Sequence, residues 1–197
     1  MIYTIHRYPA ELIDVVRSPA GERVTIRPVL PQDAPAVADF FTTLSSASRR
    51  NRFFRTLREL PAEMLDRFTS VDYHAHLALV ATVLRAGAEV AVGGARYVVS
   101  GPAAAEFAVA VADACQRQGL GRLLLARLAR RAAAEGVTRL YGDILPTNEA
   151  MLRLAAGAGM TVVPSRDGTG LMRAEVPSPA TASTKPCIDV AASRAAA

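Results

Sequence analysis

The sequence predicts an α/β fold built on a mixed, twisted central sheet of six to seven strands, with helices on both faces. Residues 105–158 alternate as strand, helix, strand and helix, an order that favours parallel strands joined by a right-handed crossover. The strands before residue 105 are linked by short turns and are expected to pair antiparallel. A chain of 197 residues, 51% of them hydrophobic, is long enough to bury the core of one such domain.

The first part of the chain predicts a strand, three helices and a hairpin. Asp33, followed by Pro35, predicts the cap and first turn of a helix. Gly93 and Gly94 lie inside a hairpin strand, where they indicate a bulge or a close backbone approach. The predicted elements are a strand at 23–28, helices from Asp33, at 45–54 and at 61–68, and hairpin strands at 76–84 and 89–99.

The second part predicts the alternating elements and a tail. Leu120, Leu124 and Leu128 recur every four residues, which predicts a helix with one buried face, and Gly136 ends it. After Pro177 the composition shifts to Pro, Ser, Thr and Ala, so we expect a domain at 1–176 and a disordered tail at 177–197. The predicted elements are strands at 105–112, 137–145, 160–163 and about 169–176, and helices at 120–135 and 149–158.

A glycine-broken turn before the helix at 120–135 predicts an anion-binding site. The first N–H groups of a helix lack acceptors and the helix dipole is positive there, so both attract phosphate. Gly119 and Gly121 allow close backbone approach, and Arg117 and Arg122 add charge. A purely structural turn could carry the same glycines, and the loop alone leaves that alternative open. Its residues are Gln116, Arg117, Gln118, Gly119, Leu120, Gly121 and Arg122.

Composition excludes several other kinds of site. A dinucleotide-binding fingerprint needs a third glycine where the chain has Leu124, and a Walker loop needs a lysine, but Lys185 in the tail is the only one. The two cysteines and three histidines are not spaced as metal ligands, so no metal is expected.

Charge and hydropathy exclude further classes of protein. The net charge of +5 comes almost wholly from arginines that are scattered over helix faces without aromatic interleaving, so we expect no nucleic-acid binding. No apolar run is long enough to span a membrane, and the N-terminus lacks the apolar centre of a signal peptide. We therefore expect a cytoplasmic protein without membrane contact.

Three segments together resemble the GNAT superfamily of N-acetyltransferases. Residues 105–121 (AEFAVAVADACQRQGLG) are similar to its fourth strand and its acyl-CoA loop, with the pattern Q/R-x-x-G-x-G/A. Residues 148–160 (NEAMLRLAAGAGM) are similar to its asparagine-containing helix. The front of the chain is most similar to the GNAT module of Pat-type bacterial protein lysine acetyltransferases, through residues 8–16 (YPAELIDVV), 21–41 (GERVTIRPVLPQDAPAVADFF) and 48–54 (SRRNRFF).

The resemblance implies that acetyl-CoA is the cosubstrate and binds where the two parallel strands splay apart. The pantetheine arm would pair with strand backbone, and the loop would hold the pyrophosphate. Simpler roles are also open: Val109, Ala110 and Val111 could belong to an ordinary core strand, and Asn148 could be a helix cap. The implied cofactor contacts are Val109, Ala110, Val111, loop residues 116–122, Asn148 and Met151.

The resemblance also implies direct acyl transfer to an amine, with Glu106 as the general base. A lysine ammonium with a pKa near 10.4 must lose a proton before it attacks the thioester carbonyl. We expect partial burial beside Phe107 and Val109 to strengthen Glu106 as a base; an exposed strand-end glutamate is the alternative. Many relatives use a tyrosine to protonate the leaving thiolate, but its position here is Ala155, so water would serve.

Three functions remain open on the sequence alone. The first, which Glu106 and the missing tyrosine favour, is acetylation of a protein lysine by a monomer or homodimer. The second is acetylation of a small amine such as a polyamine or an antibiotic. It would need an acidic acceptor pocket, for which Asp72, Asp143 and Glu106 are the available residues. The third is a non-catalytic CoA-binding regulatory module.

Overall fold

The structure, a computed structural model, describes residues 7–18 and 21–176. The predicted tail at 177–197 lies outside the described residues. Within them the mixed α/β fold is confirmed, with eight strands in one sheet rather than six to seven. The additional strand, Asp14–Arg17, lies at the edge of the sheet, in a segment to which the sequence analysis assigns no element.

The other elements lie within a few residues of their predicted positions. The strands are β1 (Asp14–Arg17), β2 (Arg23–Pro28), β3 (His76–Arg85), β4 (Ala88–Gly101), β5 (Ala104–Val111), β6 (Arg139–Ile144), β7 (Thr161–Pro164) and β8 (Met172–Glu175). The helices are α1 (Ala34–Thr43), α2 (Ser46–Phe53), α3 (Ala62–Thr69), α4 (Leu120–Ala134) and α5 (Glu149–Gly157).

The sheet is antiparallel except at one pair of strands. Its order is β1-β2-β3-β4-β5-β6-β8-β7, and only β5 and β6 run parallel among the described strands. Helix α4 makes the crossover between them, as the sequence predicts. A register shift between β3 and β4 leaves Val92 unpaired beside Gly93, which confirms the predicted bulge.

Helices cover both faces of the sheet. On one face, α4 buries its predicted leucine stripe: Leu124 and Leu128 are fully buried in the cluster that contains Tyr97 and Phe107. On the other face, α1 packs against β4 and buries Phe41. Because neighbouring residues of a strand face opposite sides of the sheet, β5 presents Phe107 to the α4 face and Glu106 to the α1 face.

Asp33 does not cap helix α1 as predicted. It precedes the helix, but its side chain makes no cap hydrogen bond. The Arg27 guanidinium instead donates to its two oxygens at 2.7 and 2.8 Å, and the Leu30 backbone N–H donates at 2.7 Å. A one-turn 3-10 segment, Pro31–Asp33, directs the carboxylate back to β2. This buried ion pair ties the start of α1 to the sheet.

Candidate active site

The parallel strands separate soon after they pair. β5 and β6 are in register only from Ala104 opposite Arg139 to Glu106 opposite Tyr141. Beyond that point the two strands diverge around a cleft of about 550 Å³, which also borders α2, α4 and α5. The backbone of β5 after Glu106 is therefore left without a partner strand on this side.

Phe107 and Gly142 lie where the strands begin to separate. A Cβ on Gly142 would lie 2.8 Å from Cε1 and 2.9 Å from Cζ of the Phe107 ring, and 3.0 Å from the Phe107 carbonyl oxygen. These distances are well below ordinary carbon–carbon contact, about 3.5–4.0 Å. The absence of a side chain at Gly142 thus lets the Phe107 ring pack against β6 at the base of the cleft.

The loop before α4 borders the other end of the cleft. Arg117 and Gly119 both adopt left-handed backbone conformations, with φ of 59° and 83°. Within the described chain, no backbone N–H from Arg117 to Arg122 has a hydrogen-bond acceptor. Unpaired N–H groups at the N-terminus of a 15-residue helix make this loop suited to an anion, and the arginines at both ends of the segment add charge.

Asp113 connects the loop to α2, a contact that the sequence analysis missed. Its carboxylate accepts hydrogen bonds from the Ser45 backbone N–H at 2.9 Å and from the Ser45 and Ser48 hydroxyls at 2.8 Å each. Burial alone would raise the pKa of Asp113, but these hydrogen bonds outweigh it and the pKa is lowered. Gln116 extends the link by donating to Ser48 Oγ at 3.3 Å and to the Val111 carbonyl at 3.1 Å.

Asn148 begins helix α5 and lines the cleft. Its Oδ1 accepts a hydrogen bond from the Met151 backbone N–H at 3.2 Å, so the helix-cap role is present. Asn148 and Met151 nevertheless both border the cleft, opposite β5. Asn148 therefore caps helix α5 and also lines the cleft.

Glu106 faces the cleft at the point of divergence, but it is exposed. The expected partial burial beside Phe107 and Val109 is wrong, because Phe107 points to the opposite face of the sheet, into the α4 core. The charged groups that interact with the Glu106 carboxylate are the guanidiniums of Arg52 and Arg96. No ion pair or hydrogen bond joins them to it.

The cleft brings most of the predicted site residues together. Gln118 and Leu120 do not line it, because Gln118 donates to the Ala114 carbonyl at 3.1 Å and Leu120 is buried in the core. Ala155, at the family's tyrosine position, is also fully buried. The predicted residues that do line the cleft are Glu106, Val109, Ala110, Val111, Gln116, Arg117, Gly119, Gly121, Arg122, Asn148 and Met151.

The other carboxylates considered for an acceptor pocket are engaged elsewhere. Asp143 lines the cleft, but the Arg173 guanidinium donates to both of its oxygens at 2.8 and 2.9 Å. Asp72 accepts from the backbone N–H groups of His74 and His76 and does not line the cleft. Among the described carboxylates that line the cleft, Glu106 alone lacks such a partner.

Two further residues, one that supports the loop and one that lines the cleft, are not singled out by the sequence. Asp113 follows β5 directly, but its serine partners lie 65 and 68 residues earlier in the chain. Arg52 lines the cleft from α2, and nothing in the sequence distinguishes it from the neighbouring arginines of that segment. In the described part of the chain, no group of three or more His, Cys, Asp or Glu could hold a metal ion, and no helix is long and apolar enough to cross a membrane.

Comparison with known proteins places this geometry in a family. Residues 42–160 match the model of the acetyltransferase (GNAT) family. Acetyltransferase PA5475 of Pseudomonas aeruginosa is 32% identical over 140 residues, which cover 71% of this chain and 75% of that protein.

Solved structures agree with this match. The GNAT domain of Streptomyces lividans PAT superposes with a TM-score of 0.79 at 29% identity, over 86% of this chain and 99% of that one. Salmonella typhimurium yncA, solved with its cofactor acetyl-CoA, shares the fold with a TM-score of 0.59 at 24% identity, over 83% of this chain and 99% of that one. The chain described here belongs to the GNAT family of acetyltransferases.

Proposed function

We propose that this protein transfers the acetyl group of acetyl-CoA to the side-chain amine of a protein lysine, with Glu106 as general base. The observation that carries the proposal is the continuity of the cleft. One space of about 550 Å³ joins a loop with unpaired N–H groups, an unpaired stretch of β5 and a carboxylate. The loop would fit the phosphates of an acyl-CoA, and the unpaired stretch of β5 would fit its amide and thioester groups. The carboxylate lies where the attacking amine would approach.

The loop and β5 would bind the cofactor. The N–H groups of residues 117–122 would donate to the pyrophosphate, with Arg117 and Arg122 neutralising its charge. The backbone of Val109, Ala110 and Val111 would pair with the pantetheine arm, because β6 has moved away from them. Asn148 and Met151 would contact the cofactor from α5, on the opposite wall. Support for acetyl-CoA itself comes from the fold relative that was solved with it.

Glu106 would take the proton from the attacking amine. The carboxylate receives the proton directly or through a water, and the freed lone pair of nitrogen attacks the thioester carbonyl carbon. The attached nitrogen loses its second proton to water, and collapse of the tetrahedral intermediate breaks the carbon–sulfur bond and releases CoA thiolate. The described residues that line the cleft include no tyrosine, so water would protonate the thiolate.

The charges around the cleft favour a protein lysine over a polyamine. A polyamine needs several carboxylates for its several ammonium groups, whereas Asp143 is already paired with Arg173. Four cleft-lining arginines, Arg52, Arg117, Arg122 and Arg153, would repel a polycation. A single lysine side chain needs only Glu106. The similarity to the GNAT domain of S. lividans PAT supports the same direction.

The proposal is tested by thiol release from acetyl-CoA with matched acceptors. We expect release with a lysine-containing protein pool, acetyl-lysine in the product by mass spectrometry, and little release with the same pool after exhaustive dimethylation of its lysines. Release with polyamines but not with protein would contradict the acceptor class. Tight acetyl-CoA binding with no release for any acceptor would contradict catalysis and favour a CoA-binding regulatory module.

A further inference from the structure

A smaller cavity of about 90 Å³ adjoins the cleft on the α1 side of the sheet. Its walls are mainly apolar and come from helices α1–α3 and strands β3–β5. Two arginines interrupt this apolar lining, Arg52 from α2 and Arg96 from β4. Arg52 lines both the cavity and the cleft, so it marks their junction.

Neither guanidinium has a carboxylate partner. Among the described residues, no hydrogen bond or ion pair engages Arg52 or Arg96. Aromatic rings hold them instead: Arg96 lies 4.2 Å from the centre of the Phe68 ring, and Arg52 lies 4.9 Å from that of Phe53. Cation–π contacts of this kind fix the orientation of a guanidinium and leave its N–H donors available.

The environment of the two cations is electrostatically unfavourable. Burial and repulsion from Arg96 lower the pKa of Arg52 to about 9. Burial likewise lowers the pKa of Arg96, and repulsion from the exposed Arg67 lowers it further. His76, also nearby, has a pKa lowered to about 4 by burial and by Arg96, and is neutral at pH 7. The Glu106 carboxylate opposes both charges, but it makes no hydrogen bond or ion pair with either guanidinium.

We propose that Arg52 and Arg96 form a subsite for a carboxylate that one of the two substrates carries. The source is either the far end of a dicarboxylic acyl donor of succinyl type or an acidic group on the acceptor. The inference rests on the proposed function, because it assigns a substrate feature to the same site. Both guanidiniums are partly buried and lack a hydrogen-bonding partner, which is unfavourable for a cation, and a guanidinium fork matches a carboxylate in two hydrogen bonds.

The shape of the cavity suits such a group. Its apolar walls would contact a short methylene chain, while the arginines would receive the charged end. Ala108 and Ala110 of β5 line both the cavity and the cleft, so a chain extending from a thioester held on β5 has a direct path. Small side chains at these two positions leave that path open.

The donor arm of the test compares succinyl-CoA with butyryl-CoA, which has the same chain length but no charge. Binding is measured by calorimetry and transfer by thiol release, with enzyme-free rates subtracted. We expect the wild type to bind succinyl-CoA about tenfold more tightly, as charge-assisted hydrogen bonds allow. Arg96→Gln and Arg52→Gln should each abolish this preference, and Arg96→Lys should retain part of it. Arg50→Gln, which removes an exposed charge from the same helix, should leave the preference intact.

The acceptor arm uses acetyl-CoA with lysine peptides that carry aspartate or asparagine beside the lysine. A preference for the aspartate peptide that is lost in Arg96→Gln would assign the carboxylate to the acceptor. Equal behaviour of both donors and of both peptides in the wild type, with normal acetyl transfer, would overturn the subsite. Failure of acetyl transfer with every acceptor would instead contradict the proposed function. Thermal melting of each variant verifies that it is folded.

Discussion

Replacement of Gly142 by alanine should destabilise the protein through contacts with one residue, Phe107. The added Cβ would lie 2.8 and 2.9 Å from two Phe107 ring carbons and 3.0 Å from the Phe107 carbonyl oxygen. The carbonyl belongs to β5 and the ring is buried, so neither can move freely. Overpacking of this kind costs about 1–3 kcal/mol, which corresponds to a fall in Tm of about 2–4 °C per kcal/mol for a chain of this size.

A double-mutant cycle with Phe107→Leu isolates that contact. Leucine lacks the two ring atoms that lie nearest to the new Cβ, although the carbonyl contact remains. We therefore expect Gly142→Ala to cost at least about 1 kcal/mol less in the Phe107→Leu background, within the range of coupling energies for residues in contact. Gly157→Ala serves as control, since nothing lies within 4 Å of its added Cβ.

Urea unfolding followed by circular dichroism measures all four proteins of the cycle and the control. Gly157→Ala should be neutral or stabilising by up to about 1 kcal/mol. If the free energy of unfolding of Gly142→Ala lies within about 0.5 kcal/mol of the wild-type value, the proposed packing of Phe107 against Gly142 is refuted. An equal loss of stability with phenylalanine and with leucine at residue 107 would refute it as well.

Two other substitutions probe the loop. Asp113→Ala removes the three hydrogen bonds that join the loop to α2 and should destabilise by about 1–2 kcal/mol in thermal melts at pH 7. Because folding lowers the pKa of Asp113, its contribution is present above the usual value of 3.8 and is lost as pH falls through the folded pKa. The wild type and the variant should therefore converge in acid, and a constant difference would contradict this sign. Gly119→Ala places a side chain at φ of 83°; it should cost about 1–2 kcal/mol and weaken acetyl-CoA binding in calorimetry, whereas unchanged affinity would argue against the loop as the phosphate site.

Local sequence signals predict the framework of the site well. The strand–helix–strand–helix order, the leucine stripe of α4 and the bulge beside Gly93 are all present in the structure. Each depends on residues close together in the chain, where periodicity and backbone preference act directly. The loop at 116–122 is also a local feature, since its geometry depends on Gly119 and on the N-terminus of α4 that follows it.

Long-range contacts account for what the sequence could not predict. The Asp113 link to α2 joins residues more than 60 positions apart, and no local pattern marks it. Asp33 follows the usual form of a helix cap, but Arg27 competes successfully for its carboxylate. The exposure of Glu106 depends on which face of β5 meets the α4 core. The packing of helices against the sheet determines which face of β5 is buried. The apolar residues next to Glu106 in the sequence do not determine it.

The most direct test of the account is single-turnover acetyl transfer to a lysine peptide by wild type and Glu106→Gln, with acetyl-CoA affinity measured in parallel. Glutamine keeps the shape of the side chain but cannot accept the proton, so we predict a loss of about 10²-fold or more in rate with unchanged affinity. Glu63→Gln, an exposed change on α3, should retain the wild-type rate. Wild-type rates in Glu106→Gln would contradict the assignment of Glu106 as the base.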